Sequence, residues 1–124
     1  GLMSYGISKL GLERLTVDVA NQLAPQRIAC NCFRIDIPVA SEGFVANTPG
    51  QDRTGWEPCE VPAEGIVWVL RQPPEYSGHL LSMFELRRDH GIMKSRAAQP
   101  YTGNPPRQII TGIVARGDSM FIDA

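Results

Sequence analysis

Tyr5 and Lys9 stand four residues apart in Ser4-Tyr5-Gly6-Ile7-Ser8-Lys9. Near the start of a segment with helical periodicity, that spacing puts the phenol and the ammonium on one face, a single turn apart. A phenol has a reference pKa of about 10 and exchanges protons poorly at neutral pH. An ammonium beside it favours the phenolate. At roughly 4 Å and an effective dielectric of about 20, the attraction is on the order of 4 kcal/mol as an upper bound. Tyr-x-x-x-Lys can therefore act as a general acid–base device. The pair also has a bland reading, an amphipathic aromatic beside a solvated lysine that pairs with Glu13 one turn on.

The elements that must hold the pair follow from the pattern around it. Residues 5–24 read as one helix ended by Pro25, with Leu12, Leu15, Val19 and Leu23 inward and Glu13, Arg14, Asp18 and Gln22 outward. Arg14 and Asp18 have the spacing of a surface ion pair. Residues 28–33 read as a parallel strand buried on both faces. A turn-rich stretch over 42–59 carries Phe44 and Trp56. A second helix begins near Glu60, with Pro62 in its first turn, Ile66, Val69 and Leu70 inward, and Pro73-Pro74 as its stop. Residues 78–86 read as a final strand, and Arg87-Arg88-Asp89-His90 as a charged exit from the sheet. The chain thus belongs to the α/β class.

This succession resembles the second half of the short-chain dehydrogenase/reductase family of the Tyr-x-x-x-Lys type, hydroxysteroid-dehydrogenase-like enzymes included. The catalytic helix runs into a strand, here Ile28-Ala29-Cys30-Asn31-Cys32-Phe33. The family's last long helix and its Thr/Ser-Gly turn are matched by residues 62–71 and by Tyr76-Ser77-Gly78-His79. The likeness covers about residues 1–86 in order and spacing. It implies the C-terminal part of a Rossmann-like, doubly wound parallel sheet. The domain reading is residues 1–93 for that half and 94–124 for a partly irregular extension. It further implies NAD or NADP as cofactor and an alcohol or ketone as substrate. Tyr5 would be the acid–base residue and would also contact the cofactor, and Lys9 would be its activator and the ligand of the cofactor ribose. The full-length protein would be a cytoplasmic homodimer or homotetramer, with the first helix packed against its symmetry mate.

The turn after the first strand departs from the family. Arg34-Ile35-Asp36-Ile37-Pro38-Val39-Ala40-Ser41 replaces the usual Pro-Gly turn around the nicotinamide. Aligned without a gap, Pro38 occupies the position whose backbone amide meets the carboxamide, and proline has no N–H. With one extra residue, Val39 supplies the amide and Ser41 the hydroxyl of the family's threonine; this second alignment is preferred. Residues 42–59 correspond to the substrate lid, where Phe44 and Trp56 would wall an apolar pocket. They equally suit an ordinary loop with two anchoring aromatics.

Twelve glycines occur, yet no two stand two residues apart, so neither Gly-x-Gly-x-x-Gly nor the family's own glycine fingerprint is present. The family's catalytic serine and structural asparagine would lie upstream of Gly1. The expectation is the C-terminal half of a longer enzyme, unable by itself to fold well, bind the cofactor or turn over. A net charge of −1 gives no electrostatic reason to expect nucleic acid or an anionic membrane as partner. No run approaches the ~20 apolar residues of a membrane span. Cys30, Cys32 and Cys59 lack zinc-ligand spacing and read as buried, reduced thiols. His79 and His90 have no carboxylate or cysteine partners at metal spacing and read as non-catalytic, leaving the metal assignment at none.

Two rivals stand beside the enzyme reading. One is a non-catalytic relative that keeps the fold as a binding or scaffold module. The other is an independent small domain acting through an oligomer, which a parallel strand without neighbours argues against. Residues 94–107 read as extended or disordered, and 109–114 as a last short strand or helix.

Overall fold

A computed structural model of the chain describes residues 3–100. The expectations for residues 101–107 and 109–114 lie outside the described residues. Those described form a mixed α/β protein. It has helices α1 (Met3–Leu23), α2 (Glu42–Asn47), α3 (Glu60–Leu70) and α4 (Met83–His90), and short strands β1 (Cys32–Arg34) and β2 (Leu80–Ser82). The strands pair in parallel. Two compact units are formed, one from residues 3–32 and 72–80, the other from residues 33–71 and 81–100.

In the first unit, α1 ends where Pro25 takes part in a 3₁₀ turn over Ala24–Gln26, closed by Arg27 in the left-handed region at φ 57°. Its buried residues are Gly6, Glu13, Thr16 and Ala20. This corrects the expected inward face: Leu12 and Leu15 are 50% and 55% exposed, and Glu13 is buried. The buried stripe lies about one residue, roughly 100°, around the helix from the leucine stripe. Ala20 takes part in it by close packing, since a Cβ at Gly78 would stand 3.6 Å from the Ala20 methyl. Arg14 and Asp18 do form their pair, at 2.9 Å and exposed.

Asn31 fixes the register of the segment leading into β1. Its side chain donates to the Tyr76 carbonyl at 2.8 Å and accepts the His79 N–H at 3.0 Å. The Gly78 N–H donates to the Cys30 carbonyl at 2.8 Å, and the Cys32 N–H to the His79 carbonyl at 2.9 Å. Gly78 sits at φ 81°, a backbone that L side chains rarely adopt. The regular strand is shorter than the expected 28–33, and its residues are only half-buried. The thiols differ from expectation too. Cys30 and Cys32 are half-buried and Cys59 is exposed, with no disulfide formed among the three.

The second unit contains two helices where none was expected. Ser41 caps α2, its hydroxyl accepting the Phe44 N–H at 3.3 Å, so the lid region begins as a helix. The expected final strand stops at Ser82, and Met83, Phe84 and Leu86 belong to α4. The Ser82 hydroxyl accepts the Phe84 and Glu85 N–H groups. Arg87, Arg88 and His90 lie in the last turn, where cations suit the helix dipole, and Gly91 closes it at φ 64°. Four residues expected on a strand, 83–86, therefore sit on a helix, and the charged exit is that helix's end.

α3 buries Val61, Pro62 and Gly65, whereas Ile66 and Leu70 are exposed, correcting the expected inward face there as well. Gly65 decides this packing. A Cβ at that position would fall 2.8 Å from two atoms of the Phe33 ring and would overlap the Met93 sulfur. Phe33 and Met93 thus reach the helix backbone itself. Met83, Met93, Val61 and Leu86 are the most buried apolar side chains of this unit together with Ile37. Residues 94–100 carry no regular element but are tied down: the Gln99 N–H donates to the Thr54 carbonyl at 2.8 Å, and the Arg96 N–H to Glu57.

Candidate functional site

Tyr5 and Lys9 are brought together as the helical spacing requires. The Lys9 ammonium lies over the phenol ring, 5.2 Å from its centre, a cation–π arrangement. Ser8 donates to the Tyr5 carbonyl at 2.6 Å. Both side chains of the pair are exposed, Tyr5 by 58%. In water such an attraction falls to about 1 kcal/mol at 4 Å, against about 4 kcal/mol at an effective dielectric of 20. The pair is assembled, and its strength depends on whether water is kept from it.

Val39, Ser41, Phe44 and Trp56 belong to the second unit. Val39 and Glu57 form a parallel β-bridge. The Glu57 N–H donates to the Pro38 carbonyl at 2.8 Å, and the Ala40 N–H to the Glu57 carbonyl at 2.9 Å. In a parallel bridge the central residue turns its own N–H and C=O to the opposite edge. The Val39 carbonyl takes the Ser41 N–H at 2.8 Å, and the Val39 N–H has no acceptor among the described residues. Ser41 has a structural duty as the α2 cap, which accounts for a serine here without any ligand; its hydroxyl proton remains free to donate. Phe44 and Trp56 stack on each other at 4.8 Å, with the Arg53 guanidinium 5.7 Å from the Trp56 ring centre. The aromatics anchor one another and orient the turn between them.

Two carboxylates that the sequence did not single out organise the same unit. Glu57 is 1% exposed. One of its oxygens accepts from Arg87 at 3.0 Å, the other from the Arg96 N–H at 2.8 Å. Arg87 is fixed in turn by donating to the Met93 carbonyl at 2.7 Å. Burial alone would push the Glu57 carboxyl up. Hydrogen bonds from Ser95, the Arg96 N–H and Arg87, with the Arg87 charge, outweigh it and hold the group below the usual carboxylate range. No sequence signal marked Glu57, which stands alone in a Gly- and Pro-rich run.

Asp36 occupies the start of α4. Its carboxylate accepts the Met83 N–H at 3.1 Å and the Ser82 hydroxyl. Burial pushes this carboxyl above its ordinary range, against the opposing hydrogen bonds and the charge of Arg34. Here a signal was available. Ser82-Met83-Phe84-Glu85 has the Ser-x-x-Glu spacing of a helix start.

The hydrophobic hollow of about 400 Å³ beside α3 is lined by Ala63, Val67, Trp68, Arg71 and Ile92, with Glu60 and Glu64 at its edge, and contains none of the expected site residues. Tyr76 and His79 stack at 4.0 Å, and the rings of Trp68 and His90 meet at a tilt, 4.4 Å between centres. Among the described residues no group of three His, Cys, Asp or Glu could hold a metal ion, and no helix is long and apolar enough to cross a membrane. No protein-family model, curated protein or solved structure matches this chain.

Proposed function

We propose that the chain is part of an NAD(P)-dependent oxidoreductase that interconverts an alcohol and a carbonyl, a short-chain dehydrogenase/reductase of Rossmann-like fold. The observation that carries the reading is the Lys9 ammonium held over the Tyr5 ring on a solvent-accessible helix face. Tyr5 exchanges a proton with the substrate oxygen, and Lys9 stabilises the phenolate charge left behind. Exposure gives the pair its condition: it becomes an effective acid–base couple only when bound ligands exclude water and the local dielectric falls.

The residues of the second unit are compatible with a nicotinamide dinucleotide. The Val39 N–H, free of acceptors among the described residues, supplies the donor that a carboxamide oxygen needs, and Pro38 has none to give. Ser41 retains one hydroxyl proton. When bound, the nicotinamide gives or takes the hydride. Substituting Tyr5→Phe in the full-length protein should lower kcat by at least a hundredfold and leave cofactor affinity within threefold. An unchanged rate removes the acid–base role. It would then favour the reading as a non-catalytic binding module, for which the replacement of the family's Pro-Gly turn by the α4-capping Asp36 also speaks.

A further inference from the structure

Glu57 does two things that are not usually combined in one residue. Its backbone grips both neighbours of Val39, at the Pro38 carbonyl and the Ala40 N–H. Its carboxylate is sealed at 1% exposure and held by Arg87 from α4 and by the N–H of Arg96. The backbone bonds fix the direction of the Val39 N–H. The side-chain bonds fix the segment that makes the backbone bonds. Arg87 is itself held by the Met93 carbonyl, so the chain of support runs from the buried end of the 91–96 segment through α4 to Glu57 and then to Val39. Nothing in this sequence of contacts touches a ligand.

We infer that Glu57 is a positioning residue, whose locked carboxylate presents the Val39 N–H to the carboxamide of a nicotinamide cofactor. The inference rests on the oxidoreductase reading and adds to it the device that orients one of its donors. A donor fixed before binding loses little freedom when the ligand arrives, which is why a rigid support raises affinity without adding a contact. The device also makes the nicotinamide end of the site depend on α4 and on residues 91–96.

The test uses the full-length protein with Arg87→Met, which removes the guanidinium, and with Glu57→Gln, which keeps an acceptor for the Arg96 N–H. Two readouts are needed. Amide hydrogen exchange should accelerate at least tenfold at Ala40 and Glu57 in Arg87→Met, with the amides of α1 unchanged. Reduced nicotinamide dinucleotide should bind about tenfold more weakly to Arg87→Met and about threefold more weakly to Glu57→Gln, while ADP-ribose, which lacks the nicotinamide, binds both as before. Equal weakening of both ligands, or protected amides at 40 and 57, overturns the positioning role and leaves the oxidoreductase reading standing. If the unsubstituted protein binds neither ligand, that reading falls and this inference with it.

Discussion

The head of α1 and the surroundings of Glu57 are built on opposite principles. Tyr5 and Lys9 are exposed, and only the helical repeat brings them together. Glu57 is sealed from water and held by partners from three stretches of chain. An exposed pair is weak until something covers it, but it is free to meet a ligand. A buried acid is costly unless every oxygen is satisfied, and once satisfied it leaves its segment little freedom. On the proposed function, the difference would separate chemistry, which needs access, from placement, which needs constraint.

The contrast can be broken by deletions in the two regions. Leu86→Ala, on the buried side of α4, should cost about 3 kcal/mol in chemical denaturation, as expected for a large core truncation. A loss below about 1 kcal/mol would mean that α4 is not held as described. Ser82→Ala removes the α4 cap and should cost about 1 kcal/mol, with the change confined in hydrogen exchange to the first turn of that helix. Leu15→Ala on α1 should cost less than about 0.5 kcal/mol, as a surface position does. A larger penalty would show that its exposed apolar stripe is covered in solution by another surface.

Acid sharpens the same comparison within the second unit. The Glu57 carboxyl lies below its ordinary range in the folded protein, so its contribution is present above the unfolded pKa and is lost as pH falls through the folded one. Asp36 is raised and acts with the opposite sign: the folded state gains from its protonation and loses that gain as pH rises. Denaturation followed from pH 7 to pH 3 should therefore show a flatter acid limb in Glu57→Gln and a steeper one in Asp36→Asn.

Much of the helical framework was legible in the chain. Pro25 marked the end of α1, Pro62 fell in the first turn of α3, and the four-residue spacings of Tyr5 with Lys9 and of Arg14 with Asp18 delivered the contacts expected of them. The packing faces were not legible. Periodicity locates an apolar stripe, but α1 buries Gly6, Glu13, Thr16 and Ala20, a set that no hydrophobic count would select. On α3 it is the absence of a side chain at Gly65 that admits Phe33 and Met93. α4 is hard to read from the sequence because its apolar residues continue those of β2 without a break, and only the Ser-x-x-Glu spacing at Ser82 marks its start. Glu57 could not have been found from its neighbours in sequence, since its partners lie 30 and 39 positions away. Tyr5 and Lys9 were legible as residue types at a helical spacing, whereas the contacts of Glu57 are tertiary.

Met93 gives the molecule a built-in clock. Its thioether is 0% exposed and lies against Phe33 and the backbone at Gly65, whereas Met3 is 77% exposed. Peroxide can reach so buried a sulfur only through an opening of the fold around it, so sulfoxide formation at Met93, timed against Met3 in the same sample, would measure how often its surroundings open. The sulfoxide, polar and larger, would no longer suit the tight apolar seat that the thioether fills.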